Sequence, residues 1–305
     1  MATRVSRLNQ QQLGYAQIIV GVTLMGFTAP LIRVLGLPAP VLIALIALVA
    51  TPLLLIIHRW KSPGTPIFPR ADKRLLGLMC VLFVLDHMLF ITGVQLTTVA
   101  NMIVLAYLYP VFTTLLALPI LGERIRGNVV VALLLGLTGT GLVVYRDLIA
   151  VSPDDLAGIS MGFAVAFVIA CKRMCVKRLD PTVSSVQVKT VLFVFSGVLF
   201  LPSLFLMDFE LSASHGALLV FKVVVSGVFA GLLTLSGVRK VSASRGAILS
   251  YLEPALAVLF AWLILAETPP ATAALGGALV ILAGYLVARD ELRGIDVRSP
   301  RGTVS

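Results

Sequence analysis

Charged residues are scarce in this sequence: only 12% of its 305 residues are Asp, Glu, Lys or Arg, against about 25% in an ordinary soluble domain. Hydrophobic residues make up 59%, and the mean hydropathy is +1.03. A chain of this composition has too few polar residues to cover the cores that it could fill. The composition therefore excludes a soluble globular protein and indicates an integral membrane protein.

Cysteine is also scarce, and the three cysteines show no spacing typical of a disulfide framework or a metal site. The sequence has no nucleotide-binding loop, which argues against direct ATP drive. The net charge of +10 comes from short basic runs between apolar blocks rather than from one clustered basic face. This arrangement does not predict a nucleic-acid partner. We expect no cofactor and no metal.

Ten apolar blocks are long enough to cross a bilayer, which takes about 20 mostly apolar residues in a helix. The sequence therefore predicts an all-α integral membrane protein with ten transmembrane helices. The predicted spans are residues 14–35, 38–57, 75–92, 101–121, 128–145, 156–173, 183–206, 216–236, 246–266 and 272–288.

One stretch of the sequence occurs twice, 144 positions apart. Residues 107–123 read YLYPVFTTLLALPILGE, and residues 251–267 read YLEPALAVLFAWLILAE. Pro110 falls on Pro254, and Glu123 falls on Glu267. A unit that was copied once is the economical explanation. Because each copy holds five spans, an odd number, the second copy must enter the membrane inverted relative to the first, which is a recurring transporter design.

The predicted organisation follows from this duplication. The two inverted five-helix repeats cover residues 14–147 and 156–290, and they are flanked by tails at 1–13 and 291–305. Most of the 24 Lys and Arg residues, Lys172 and Arg173 among them, fall on the side of the N-terminus. Since cytoplasmic loops retain basic residues, we expect a multi-pass protein of the cell (inner) membrane with both termini in the cytoplasm.

Three features together resemble a known superfamily. They are the prolines of spans four and nine, the Gly122–Glu123 pair that ends span four, and the glycine-rich spans five and ten. The chain resembles the ten-helix, EamA-like branch of the drug/metabolite transporter superfamily over residues 14 to 289. The resemblance implies a secondary transporter. It leaves the substrate open, because the superfamily includes exporters of amino acids and other metabolites, sugar-nucleotide carriers and drug efflux pumps.

Glu253, directly before Pro254, is the strongest candidate for a working residue. Proline cannot donate to the carbonyl four residues back, so we expect a kink and a free carbonyl at Ser250. Pro110 predicts the same kink in the first repeat. A carboxylate beside such a kink suits a substrate ammonium group or a coupled proton. An ion pair between Glu253 and Arg245 is the structural alternative.

Other ionisable residues also lie inside predicted spans, where charge is costly and usually functional or paired. Asp86, in span three, could bind an ammonium group, couple a proton, or form a buried salt bridge with Lys189 or Lys222. His87 lies about 100° further around the helix, and a packed, hydrogen-bonded role is favoured for it. Lys222 could hold a substrate carboxylate or extend toward the outer surface.

Three tyrosines complete the set of candidates. Tyr107 and Tyr251 are equivalent residues one turn before the prolines, and either substrate contact or plain packing would explain them. Tyr109 lies about 200° from Tyr107 on a regular helix. At most one of these two therefore faces a central cavity, unless the kink intervenes.

The sequence thus predicts a transporter of small metabolites, and the resemblance favours export, with amino acids or related compounds as the substrates. An alternative within the same fold is a drug or other organic-metabolite carrier working by import or exchange. An intramembrane enzyme using Asp86, His87 or Glu253, or a non-transporting receptor, is the alternative from another class. We do not expect an enzyme, because neither a metal cluster nor a nucleophile with a nearby base is evident. The expected partners are a small-molecule substrate and the lipid bilayer, with a coupled proton and the choice between monomer and weak dimer left open.

Overall fold

The computed structural model of the chain describes residues 2–96, 102, 105–123, 125, 127–143, 156–256 and 271–296. Each of the ten predicted spans contains helix in this part of the chain. We number the helices α1 (Ala2–Met25), α2 (Thr28–Leu35), α3 (Ala39–Lys61), α4 (Lys73–Leu96), α5 (Tyr109–Leu121), α6 (Gly127–Val143), α7 (Leu156–Arg178), α8 (Ser185–Phe200), α9 (Ser203–Leu206), α10 (Ala213–Phe221), α11 (Ala230–Val238), α12 (Ala243–Leu249) and α13 (Ala271–Asp296).

Large apolar side chains cover much of the outer surface of the helix bundle. Phe167, Val198 and Phe205 are among those that are at least half exposed, as expected for helices that face lipid tails. In the described part of the chain, five helical segments are long and apolar enough to cross a membrane, and three shorter apolar helices accompany them. The described part of the chain therefore has the surface and the helix lengths of a membrane protein.

The helix packing has the pattern of a twofold repeat. The first repeat supplies α1, α3, α4, α5 and α6, and the second supplies the equivalent α7, α8, α11, α12 and α13. Helix α1 packs on α11, and their equivalents α7 and α4 pack on each other. Three further pairs join equivalent helices directly: α3 with α8, α5 with α12, and α6 with α13. Exchanging the two repeats leaves this set of pairs unchanged.

The contact between α5 and α12 shows that the two repeats are inverted. Glu123 follows the C-terminal end of α5, and its carboxylate accepts hydrogen bonds from the backbone N–H groups of Ala243 (2.7 Å) and Ser244 (3.3 Å). These two residues begin α12. Because the end of α5 meets the start of its equivalent, the two helices run in opposite directions. The carboxylate also caps free N–H groups at the positive end of the α12 dipole, so Glu123 has a structural role. Glu267 lies outside the described residues.

Proline interrupts three of the spans. The first span, predicted as one helix, breaks at Gly26–Phe27, because Pro30 cannot donate to the carbonyl of Gly26. The two predicted kinks are present as turns at residues 107–108 and 250–251.

The predicted free carbonyl at Ser250 is wrong. This oxygen accepts the backbone N–H of Glu253 at 3.1 Å, which is a tighter, three-residue turn. The helix therefore compensates for the missing proline N–H locally, and the kink leaves this carbonyl satisfied.

The eighth span has a different irregularity, since its middle is a π-helix. Residues Lys222–Phe229 form the π-helical segment between α10 and α11, so that the three pieces make one continuous rod. Segments of this kind are rare and occur frequently at functional sites. This one places Lys222 at the junction between the two helix geometries.

Polar bonds link the helix ends on the side predicted to be cytoplasmic. Arg178 donates to the carbonyl of Ile120 (2.6 Å), and Arg239 donates to the carbonyls of Asp180 (2.9 Å) and Val183. Hydrogen bonds from the hydroxyl and the backbone N–H of Thr182 lower the pKa of the Asp180 carboxyl. These bonds join the ends of α5, α7 and α11 to the start of α8.

Candidate substrate-binding cavity

A cavity of about 340 Å³ lies where the interrupted helices meet. All three broken spans contribute to its wall, through Gly26, Tyr107 and Pro254, and the π-helical segment contributes Lys222 and Gly227. A volume of this size is at the lower end of the range for small-molecule sites. Irregular backbone at membrane depth is tolerated where it lines a cavity. The three broken spans all contribute to this cavity.

Asp86 belongs to a charged cluster on one side of the cavity. It is 8% exposed and forms an ion pair with Lys172, while Nδ1 of His87 lies 3.2 Å from its carboxylate. The same nitrogen lies 2.9 Å from the carbonyl oxygen of Phe83. Asp86 therefore forms a buried salt bridge, which is one of the three possibilities that the sequence leaves open. Its partner, however, is neither Lys189 nor Lys222.

His87 is both a packed residue and a residue of the cavity wall. Its ring packs on the ring of Phe83, with centroids 4.1 Å apart, and it also lines the cavity. The helix carries Asp86 and His87 on neighbouring faces, yet their side chains approach each other to 3.2 Å.

Glu253 also lines the cavity wall, at the second kink. Its carboxylate accepts a hydrogen bond from the hydroxyl of Tyr107, and Arg173 is the neighbouring cation. Tyr107 belongs to the first repeat, and Glu253 belongs to the second. This hydrogen bond therefore connects the two kinks across the repeat interface.

Arg173 joins the same two kinks a second time. Its Nη2 atom donates to the hydroxyl of Tyr109 (3.0 Å) and to the hydroxyl of Ser250 (2.9 Å). The guanidinium also lies over the ring of Tyr109, 4.8 Å from its centroid, which is cation–π distance. One arginine of α7 thereby holds α5 and the start of the ninth span in a fixed relation.

The placement of Lys172 and Arg173 corrects the sequence prediction. The sequence assigned them to a basic segment at the inner end of span six, whereas α7 continues to Arg178 and carries both into the cavity wall. The missed signal is the short apolar run that follows them, Met174–Cys175–Val176, which is buried. A span that extends through this run would have placed both cations inside the membrane.

The tyrosines separate into two groups. Tyr107 and Tyr109 both line the cavity, with ring centroids 6.0 Å apart, because the break between them removes the regular helical angle. Tyr251 is 0% exposed and does not belong to the cavity wall. A Cβ atom at Gly136 would lie 2.4 Å from its ring, so Tyr251 packs directly against that glycine. For Tyr251, packing is the better interpretation.

Two further lysines line the cavity. Lys222 is 5% exposed and points inward, so it does not extend toward the outer surface as one interpretation proposed. Lys189, not among the principal sequence candidates, lies over the rings of Phe83 and Phe193 at 5.9 and 5.6 Å. Neither ammonium group forms an ion pair or hydrogen bond with a described residue.

A charged cavity between inverted repeats, lined by breaks in the helices, is typical of secondary membrane transporters. The chain belongs to the EamA-like transporter family, which it matches twice, over residues 12–145 and 156–289. The two matches coincide closely with the two repeats that the sequence predicts.

Known proteins that are similar to this chain carry compatible descriptions. An uncharacterized transporter from Archaeoglobus fulgidus is 30% identical over 224 residues, which are 73% of this chain and 78% of that relative. An uncharacterized transporter from Synechocystis is 25% identical over 255 residues, or 79% and 73% of the two chains. A solved crystal structure has the same fold, with a TM-score of 0.77 and 18% identity over 92% of this chain and 98% of the other.

Proposed function

We propose that this protein exports small metabolites, amino acids or related compounds, by alternating access around the central cavity. The observation that carries the proposal is the hydrogen bond between Tyr107 and Glu253, which spans the interface of two inverted repeats inside the cavity. A solute bound there touches both repeats. Relative rocking of the repeats would then expose it to one membrane face and afterwards to the other.

In this proposal, Glu253 and Tyr107 form the site that binds the substrate or the coupled proton. A carboxylate that faces a tyrosine hydroxyl inside a cavity can accept a substrate ammonium group or a proton. Tyr109 contributes an aromatic face beside them, held in place by Arg173. Pro110 and Pro254 supply the kinks that turn these side chains toward the cavity.

Asp86, His87 and Lys172 have a different role in the proposal. Because Asp86 already has a cationic partner, a substrate ammonium group would have to displace Lys172 in order to bind it. We therefore assign this cluster to positioning. The ion pair ties α4 to α7 and thereby holds this part of the cavity wall.

The orientation of the protein is part of the proposal. With both termini in the cytoplasm of a cell membrane, Ser62 would face inward and Ser212 would face outward. In a background without the three native cysteines, Ser62→Cys and Ser212→Cys should react with an impermeant maleimide on opposite sides. Reaction of both on one side would contradict the predicted path of the chain.

Transport itself is tested with purified protein in sealed liposomes. Vesicles preloaded with a mixture of radiolabelled amino acids should lose label faster than protein-free vesicles, and Glu253→Gln should abolish the difference while the protein remains monodisperse. Glu210→Gln is the matched control, since Glu210 is an exposed residue of the loop between spans seven and eight.

Normal flux in Glu253→Gln would remove this residue from the mechanism. A complete lack of flux by the native protein, across amino acids and other small metabolites, would overturn the transport proposal. Conversion of a solute into a new compound would instead support an intramembrane enzyme.

A further inference from the structure

The described wall of the cavity holds more positive than negative side chains. In this part of the wall, two acidic residues, Asp86 and Glu253, stand beside four basic residues, Lys172, Arg173, Lys189 and Lys222. Each acid already has a cationic neighbour: Asp86 has Lys172 in an ion pair, and Glu253 has Arg173 beside it. Within the described part of the wall, two lysine ammonium groups remain without an anion.

Lys189 is one of these two lysines. The contacts that hold its ammonium group are with aromatic rings and a glycine, and none of them supplies a negative charge. Its ammonium group lies over the faces of Phe83 and Phe193, and a Cβ atom at Gly231 would lie 2.6 Å from Nζ. Glycine at position 231 is what admits the ammonium group here. The nearest described acid, Asp86, is occupied by Lys172, which also repels Lys189.

Lys222 is the other, and its burial is nearly complete. It is 5% exposed and begins the π-helical segment. A buried ammonium group without a partner is costly, so such groups are normally paired or serve a function. An anion that enters the cavity would supply the missing partner.

The two lysines meet the cavity at different levels of the eighth span. Nζ of Lys189 lies beside Gly231, nine positions after Lys222 on the same helical rod. At 1.5 Å per residue, the backbone of Gly231 lies about 13.5 Å further along the axis than the backbone of Lys222. We therefore treat the two lysines as two stations of the cavity, one at Lys222 and one at Lys189.

We propose that the transported solute is an organic anion with net negative charge, whose carboxylate pairs with Lys222 at one station and with Lys189 at the other. The apolar part of the cavity wall, which includes Ile46, Phe90 and Leu192, suits the carbon skeleton of such a solute. An inorganic ion would leave most of the 340 Å³ unfilled. This inference rests on the proposed transport function and specifies the charge of its substrate.

The experiment compares solutes of similar size and different charge in liposomes of neutral phosphatidylcholine. The probes are N-acetylleucine and glutamate as anions, leucine and glutamine as zwitterions, and lysine as a cation. We expect the native protein to move the anions at least about tenfold faster than the zwitterions and the cation, in line with the cost of leaving a buried charge unpaired. Equal or faster movement of leucine, glutamine or lysine would overturn the inference while leaving the transport function intact.

Variants test the two stations separately. Lys222→Gln and Lys189→Gln should each raise KM for the anions about tenfold or more, whereas Lys222→Arg and Lys189→Arg should retain most of the affinity. Lys61→Gln removes one charge from an exposed helix end and should change nothing. Anion transport that is unaffected in both glutamine variants would overturn the assignment of the stations.

Three further outcomes have distinct meanings. If a glutamine variant fails to fold, the charge preference of the native protein still decides the question. If anionic lipid added to the vesicles suppresses anion flux, the lysines bind lipid phosphate, and the solute assignment fails. If no probe of any charge moves, the proposed transport function fails together with the inference.

Discussion

The two proline kinks lie at equivalent places in the two repeats and differ in chemistry. The first reads Tyr-Leu-Tyr-Pro and ends at Pro110, and the second reads Tyr-Leu-Glu-Pro and ends at Pro254. The helix breaks two to three residues before the proline in the first kink and three to four residues before it in the second. The residue before the proline faces the cavity in each case, but in the first kink it is Tyr109 and in the second it is Glu253.

The difference shows what the duplication supplied and what divergence added. The prolines fix the shape of both kinks, so the cavity wall forms from either copy of the repeat. The single exchange of tyrosine for glutamate then places a carboxylate on one side only. The two equivalent tyrosines also differ in their contacts, since Tyr107 donates to Glu253 while Tyr251 is packed against Gly136.

The most direct test of the difference between the two kinks is to place the same residue before both prolines. We expect Glu253→Tyr to keep the fold and to reduce flux about a hundredfold, because the cavity loses a carboxylate that faces Tyr107 and Arg173. Tyr109→Phe, at the equivalent position, should reduce flux less than about tenfold, since only one neutral acceptor is lost. Flux in liposomes measures both variants, and comparable losses would show that the two positions are functionally equivalent.

The other intramembrane acid provides a contrast in stability. Asp86→Asn leaves Lys172 buried without its ion-pair partner, and we expect a loss of about 3–5 kcal/mol in the free energy of unfolding. Thermal unfolding in detergent should show the loss. A second change, Lys172→Gln, should restore much of it by removing the uncompensated charge. Unchanged stability in Asp86→Asn would mean that the ion pair contributes little to the fold.

Arg173 connects the two kinks, and its removal should loosen both. Lysine cannot reproduce the guanidinium bonds to Tyr109 and Ser250, so we expect Arg173→Lys to destabilise the protein by about 1.5–3 kcal/mol. Arg178→Lys, one turn later in α7, is the control, because its bond goes to an exposed helix end. Equal melting temperatures for the two variants would contradict the linking role of Arg173.

The smallest expected effect concerns the helix cap between the repeats. Glu123→Gln removes the charge that caps α12, and we expect a loss of about 0.5–2 kcal/mol in detergent. Glu267→Gln extends the comparison to the second repeat, where a loss of similar size would indicate that both copies use the same cap. No change in Glu123→Gln would show that hydrogen bonding alone, without charge, satisfies the start of α12.

Much of the fold was predictable because the relevant signals are local. Run length predicted the ten spans, prolines predicted two of the three interruptions, and the odd number of spans per copy predicted the inversion. The break at Gly26–Phe27 was missed although Pro30 stands four residues after Gly26. Tyr107 and Tyr251 are equivalent in the sequence, and only the packing of Tyr251 against Gly136 separates them.

The candidate site was predictable in part. Glu253, Asp86, His87, Tyr107, Tyr109 and Lys222 all line the cavity. The partners of the two acids were not predicted, because a basic run at the end of a span looks the same whether it lies in the cytoplasm or continues inside the helix. Lys172 and Arg173 are 86 and 80 positions from the acids that they accompany, and no local pattern encodes such a separation.

The sequence by itself determined the membrane class, the number of spans, the duplication and the positions of the two matched kinks. These properties follow from hydropathy, from proline and from repetition, which act over a few residues or by simple counting. Only the tertiary structure decided which cation accompanies which acid, which tyrosine faces the cavity, and that Lys189 and Lys222 have no anionic partner among the described residues. Those properties depend on side chains that meet across helices, and their distances are set by packing rather than by spacing in the sequence.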